Sequence, residues 1–196
     1  EFGVYSGTLE PDSRTEIIRA RNAFAVTTFD IKDRYIVDAL VRRDESSLFG
    51  ADNRAATYHR LSGAWRVTED FGIPGFDELK LRVSQGTAGL RPIYTAQYET
   101  FNVVAGNLEK ETLGNPALRP AYSRETEVGF NANFLTNYSL DYSYSKKRTT
   151  DQIILVPLSG ATGYVNQYQN AGTLGGHSHE IGLGAVLLSK ADYFWR

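Results

Sequence analysis

Few residues in this sequence have types and spacing that suggest chemistry. There are three histidines, His59, His177 and His179. In His177-Ser178-His179-Glu180 the imidazoles are two residues apart. Strand residues so spaced point to the same side, as a metal clamp requires. No third ligand follows, so the pair is expected at a rim or in a lumen, with no metal and no cofactor. No spacing joins a serine to a histidine and an orienting acid, and no Gly-x-Ser-x-Gly elbow occurs. Gly182-Leu183-Gly184 lacks the third glycine of a dinucleotide fingerprint and falls inside a strand-like run. Asn137-Tyr138-Ser139 fits a glycosylation sequon but reads as turn chemistry. The absence of cysteine removes thiol nucleophiles, disulfides and cysteine-held metal clusters. Catalysis is not expected.

Binding is the better-supported chemistry. Residues 89–122 carry Tyr94, Gln97, Tyr98, Phe101 and Asn102. Residues 155–177 carry Tyr164, Asn166, Gln167, Tyr168, Gln169 and Asn170. Aromatic rings stack and side-chain amides both donate and accept, which suits a neutral polar oligomer such as a glycan or peptide. Neither stretch has the arginine cluster expected for a phosphate or carboxylate ligand. Tyr94, Tyr98, Tyr164, Asn166, Gln167 and Tyr168 are the candidate ligand-binding residues. Alternatively, the same side chains pack the loops on one another or on a partner protein.

The elements that must position these residues are strands. The chain has 196 residues, 21 basic and 23 acidic, for a net charge of -2. That balance offers no footprint for nucleic acid and no polybasic membrane patch. Tyr138, Leu140, Tyr142 and Tyr144 alternate with Ser139, Asp141, Ser143 and Ser145. Val128, Phe130, Ala132 and Phe134 alternate likewise with polar or small residues. Period two predicts strands with one apolar and one wet face. Thr136-Asn137 is expected as the two-residue turn joining strands 122–135 and 138–153, with Phe134 and Tyr138 flanking it on one face. Further strands are expected at Arg19–Ile31, after the Lys32-Asp33 turn, at 57–68, from Leu79, at 180–188 and from Tyr193. One helical turn is expected within Ile73–Leu79.

The long connections, 45–55, 89–122 and 155–177, all fall at one end. The tight turns and the intermediate 69–78 connection fall at the other. Structureless loops of this length are unusual in a compact domain, whereas outer-membrane barrels have long outer loops and short periplasmic turns. Tyr35, Phe134 and Tyr138 lie where an aromatic girdle would sit. The fold class read from this pattern is all-β, a consecutive antiparallel meander forming part of a large transmembrane β-barrel. A β-sandwich binding module with one buried face is the alternative. In the barrel, Tyr138, Leu140, Tyr142 and Tyr144 would face lipid, and Asp141 and Ser143 the lumen.

Several stretches resemble TonB-dependent outer-membrane receptors of the SusC/RagA type. They include Arg42-Arg43-Asp44-Glu45-Ser46-Ser47-Leu48-Phe49-Gly50 followed by Asn53-Arg54, Gly63-Ala64-Trp65-Arg66-Val67-Thr68-Glu69, and Leu79 to Gly89. The most specific is Leu113-Gly114-Asn115-Pro116-Ala117-Leu118-Arg119-Pro120 followed by Glu125-Thr126-Glu127-Val128-Gly129-Phe130. Gln169-Asn170-Ala171-Gly172 adds a weaker match. The resemblance implies that residues 1–196 are part of such a barrel domain, with the plug and remaining strands elsewhere. It also implies a bacterial outer membrane and import of oligosaccharides or peptides. The implied partners are the TonB complex and a SusD-like surface lipoprotein. A siderophore or cobalamin receptor is the alternative within transport.

Overall fold

A computed structural model describes residues 15–50, 53–190 and 193–195. Strands β1 (Ala20–Ile31), β2 (Tyr35–Ser46) and β3 (Ala55–Arg66) lead to a single helical turn, α1 (Val67–Asp70). Then follow β4 (Phe76–Leu90), β5 (Thr100–Val104), β6 (Asn107–Leu113), β7 (Ala121–Phe134) and β8 (Tyr138–Thr150). The chain continues through β9 (Ile153–Pro157), β10 (Asn166–Asn170), β11 (Leu174–Ala185), β12 (Leu188–Lys190) and β13 (Tyr193–Trp195). Seven strands form one antiparallel sheet in the order β1-β2-β3-β4-β7-β8-β11. This is the expected meander, with the long connections emerging at one end. Of the strand expected to begin over Tyr193 to Arg196, Arg196 lies outside the described residues.

The register builds two unlike faces. Tyr35, Trp65, Leu81, Phe130, Tyr142 and Ile181 form one cross-strand row. The next row outward includes Phe29, Val37, Val83, Val128 and Tyr144. The other face carries Asp38, Arg60, Ser84, Glu127 and Ser145 at alternating positions. Ala132 is buried, but most of the apolar face is uncovered: Ile181 is 69% and Leu183 81% exposed. A continuous apolar face of this extent requires a non-aqueous partner. No helix among the described residues is long and apolar enough to cross a membrane, and the strands remain the elements available to do so.

The tight-turn end differs in detail from the sequence expectation. Phe134 pairs with Tyr138, their rings stacked at 5.8 Å, so the hairpin forms as expected. Its loop, however, holds three residues, with positive φ at Leu135 and Thr136 rather than at Asn137. The neighbouring connection imposes this. The Gly75 carbonyl accepts from Leu135 N, and the Asp77 carboxylate accepts from Thr136 N. The helical turn also lies earlier than expected, at Val67–Asp70. Pro74 disfavours helix at Ile73, Gly75 adopts φ 85°, and the strand resumes at Phe76, opposite Phe134.

Asp70 ties this end together. Its carboxylate accepts from Tyr35 Oη at 2.5 Å, Trp65 Nε1 at 2.8 Å and Arg34 at 2.8 Å. The Tyr35 hydroxyl, then the Trp65 N–H and Arg34, hold the Asp70 carboxyl below its ordinary pKa. A lowered folded-state pKa gives stability that is present at neutral pH and lost as pH falls through that pKa. Acidification below the ordinary carboxylate range, about 3.9, should therefore change Trp65 fluorescence in the natural chain. Asp70→Asn should abolish that response. An identical acid transition in the variant would exclude Asp70 as its source.

Candidate functional site: the outward loops and the polar wall

The long connections are not structureless. Residues 89–122 fold into the β5–β6 hairpin, residues 155–177 contribute β9 and β10, and these four strands make a second sheet in the order β5-β6-β10-β9. The two connections join where β6 and β10 run parallel, Thr112 opposite Asn166 and Leu113 opposite Gln167. The segment Gly114–Arg119 is the hub. Asn115 N donates to the Ala96 carbonyl at 3.1 Å, and Asn115 Nδ2 to the Tyr168 carbonyl at 2.8 Å. Asn170 accepts from Arg119 N and returns Nδ2 to the Arg119 carbonyl, both at 2.8 Å. Gly50 N donates to the Leu118 carbonyl at 2.9 Å. A Cβ at Gly50 would stand 2.2 Å from the Pro116 carbonyl oxygen, so only glycine allows this approach. Phe49 and Leu118 are the largest fully buried side chains among the described residues.

All six sequence-predicted residues lie in this assembly, in different settings. Tyr94 and Tyr98 pack at 5.5 Å between ring centroids, and Tyr98 is half exposed. Tyr164 is 9% exposed. Hydrogen bonding to Glu99 raises its pKa, and Lys110 Nζ lies 4.8 Å over its ring. Gln167 donates to the Gly114 carbonyl at 3.2 Å and accepts from Gln169 at 2.9 Å. Asn166 and Tyr168 are half-buried members of β10. Tyr164 and Gln167 thus use their polar groups within the loops, while Tyr94, Tyr98, Asn166 and Tyr168 retain accessible surface.

Of the two placements expected for the histidines, rim or lumen, the structure keeps the rim and excludes the lumen. His179 pairs with Tyr144 and His177 with Lys146, so both share the apolar face, at its outward margin, and neither faces the polar side. Tyr142 Oη lies 2.9 Å from His179 Nδ1, and the Tyr144 and His179 rings are 4.8 Å apart. Among the described residues no group of three or more His, Cys, Asp or Glu could hold a metal.

Sequence reasoning did not single out the polar wall below the loops. A groove of about 520 Å³ is lined there by Arg42, Tyr58, Arg60, Glu125, Lys147 and neighbouring residues. Charges of the polar face are paired in and around this groove: across strands Arg60 with Asp38 at 2.5 Å, Arg82 with Glu127 at 3.6 Å and Lys147 with Glu125 at 3.8 Å, and within β2 Arg42 with Asp44 at 3.0 Å. Such a wall stays wetted without a strong field of either sign. The alternation marks this face in the sequence, but the register is needed to match the pairs.

The family profile described as "TonB dependent receptor-like, beta-barrel" matches residues 2–177. TonB-dependent receptor P26 of Formosa agariphila is 27% identical over 187 residues, covering 88% of this chain and 19% of that protein. TonB-dependent receptor SusC of Bacteroides thetaiotaomicron is 23% identical over 196 residues, again covering 88% of this chain and 19% of that protein. The RagAB peptide importer in its 'open-open' state superposes with a TM-score of 0.79 at 25% identity, over 90% of this chain and 20% of that one. The siderophore receptor PirA from Pseudomonas aeruginosa shares the fold alone, with a TM-score of 0.63 at 13% identity, over 85% of this chain and 31% of that one. The chain spans about a fifth of the length of the curated relatives it matches. It belongs to the TonB-dependent receptor-like β-barrel family and is of the SusC/RagA type.

Proposed function

We propose that this chain is an arc of the wall of a bacterial outer-membrane importer that takes up oligosaccharides or peptides. The hub at Gly114–Arg119 carries the reading. It fixes three outward connections beside a wetted wall, as a receptor that captures ligand outside and passes it inward requires. RagAB, which this fold matches, is a peptide importer. Energy would come through a TonB complex, and a SusD-like surface lipoprotein would cover the outward loops. No catalytic step belongs to this function. Tyr94, Tyr98, Asn166 and Tyr168 would contact the ligand, with Tyr164 and Gln167 holding the loops that present them.

Tyr98→Ala in the complete receptor should weaken oligosaccharide or peptide binding by about 1–3 kcal/mol, the loss of an aromatic anchor. Isothermal titration with glycan and peptide panels measures it. Unchanged affinity for every bound ligand in a folded variant would remove these tyrosines from the site.

A further inference from the structure

Three cations with no carboxylate partner among the described residues stand at the outward margin of the apolar face, whereas Arg21 and Arg43 on the same face are paired with Glu45. Arg124, Lys146 and Arg148 share alternation with Val128, Phe130, Tyr142 and Tyr144 in β7 and β8. Arg124 lies directly opposite Arg148, and like charges so placed repel. Among the described residues none of the three has an ion pair or side-chain hydrogen bond. On the polar side of the same strands, by contrast, Lys147 is paired with Glu125. The three exposed cations flank a groove of about 390 Å³ that Tyr122, Thr126 and Thr150 also line.

The height of the groove is informative. Arg124 is ten residues up β7 from Phe134, about 33 Å at ~3.3 Å per residue. At a tilt of ~40° this becomes about 25 Å along the membrane normal, the usual height of the apolar band. With Phe134 and Tyr138 at the inner interface, the cations stand at the outer one.

We propose that this groove binds the phosphate-bearing headgroup of an outer-leaflet lipid. Arginine forks and a lysine converging on phosphate make charge-assisted hydrogen bonds and relieve the Arg124–Arg148 repulsion. Free phosphate would meet the same charges. The lipid is favoured because apolar rows continue directly below the groove, where Val128, Tyr144 and Phe130 would lie along its acyl chains. The proposal rests on the apolar face being the lipid side.

Native mass spectrometry of the complete receptor, loaded from detergent with lipid A or with lipid A stripped of phosphate, tests it. The natural protein should retain the phosphorylated form at least about tenfold better, as several charge-assisted bonds imply. Arg124→Gln/Lys146→Gln/Arg148→Gln should lose that preference, and Lys147→Gln should keep it. Equal retention of both lipids, or an undiminished preference in the triple variant, overturns the proposal. So does phosphate-dependent binding seen only with inorganic phosphate. If Lys147→Gln alone removes the preference, the assignment of faces fails instead. A heat-dependent gel shift reports folding. If the triple variant does not fold, Arg148→Gln decides, with a loss of about threefold expected and unchanged retention overturning the proposal.

Discussion

Replacing Phe49 by alanine should release the outward loops while leaving the sheet in place. Phe49 is 1% exposed, and the adjoining Gly50 is held to the Leu118 carbonyl. Truncating a fully buried phenylalanine costs about 3–5 kcal/mol, through lost transfer energy and the cavity left behind. The loss should fall on a local opening unit rather than on the whole barrel, because the loop strands form a sheet of their own beside the seven-stranded one. Hydrogen exchange in the complete receptor should speed up at Gly50, Asn115 and Val165, whose amides bond across the loops. Exchange in the middle of β7 and β8 should not change. If the loop amides stay as protected as before, the hub does not depend on this side chain. If exchange rises throughout the sheet, loops and wall form one cooperative unit.

Placing a charge in the middle of the apolar face should have a comparable effect. Val83 pairs with Val128, six residues from Phe134, or about 15 Å up the membrane normal at the same rise and tilt. That is close to the centre of a ~25 Å apolar band, where arginine costs about 2–4 kcal/mol. Leu140 sits only two residues from the Tyr138 interface, so Leu140→Arg should cost less than Val83→Arg. Ser84→Arg, on the polar face, should stay within about 0.5 kcal/mol. Folding equilibria of the complete receptor in lipid vesicles rank the three. Equal costs for Val83→Arg and Ser84→Arg would mean that the two faces do not meet different solvents.

Much of this architecture was readable without coordinates because strand alternation is local. The parity of Tyr138 to Tyr144 against Ser139 to Ser145 assigned two faces, and the grouping of long and short connections assigned two ends. Both follow from covalent geometry and composition. Turn details were less legible. Asn137 is the better left-handed residue by type, yet Leu135 and Thr136 adopt positive φ because Gly75 and Asp77, some sixty residues earlier, supply their hydrogen-bond acceptors.

The sequence alone determined the meander, its two faces and the family resemblance, since each depends on residues near one another in the chain. Leu113 to Pro120 stood out as a motif, but its work as a hub joining Gly50, Ala96 and Asn170 depends on contacts far apart in sequence. Tyr164 and Tyr168 looked equivalent until packing buried one and left the other partly accessible. Arg124 and Arg148 are separate charges in the sequence and a facing pair in the sheet. Only the tertiary structure decided these points, because strand register brings distant residues within a few ångströms and no local pattern encodes it.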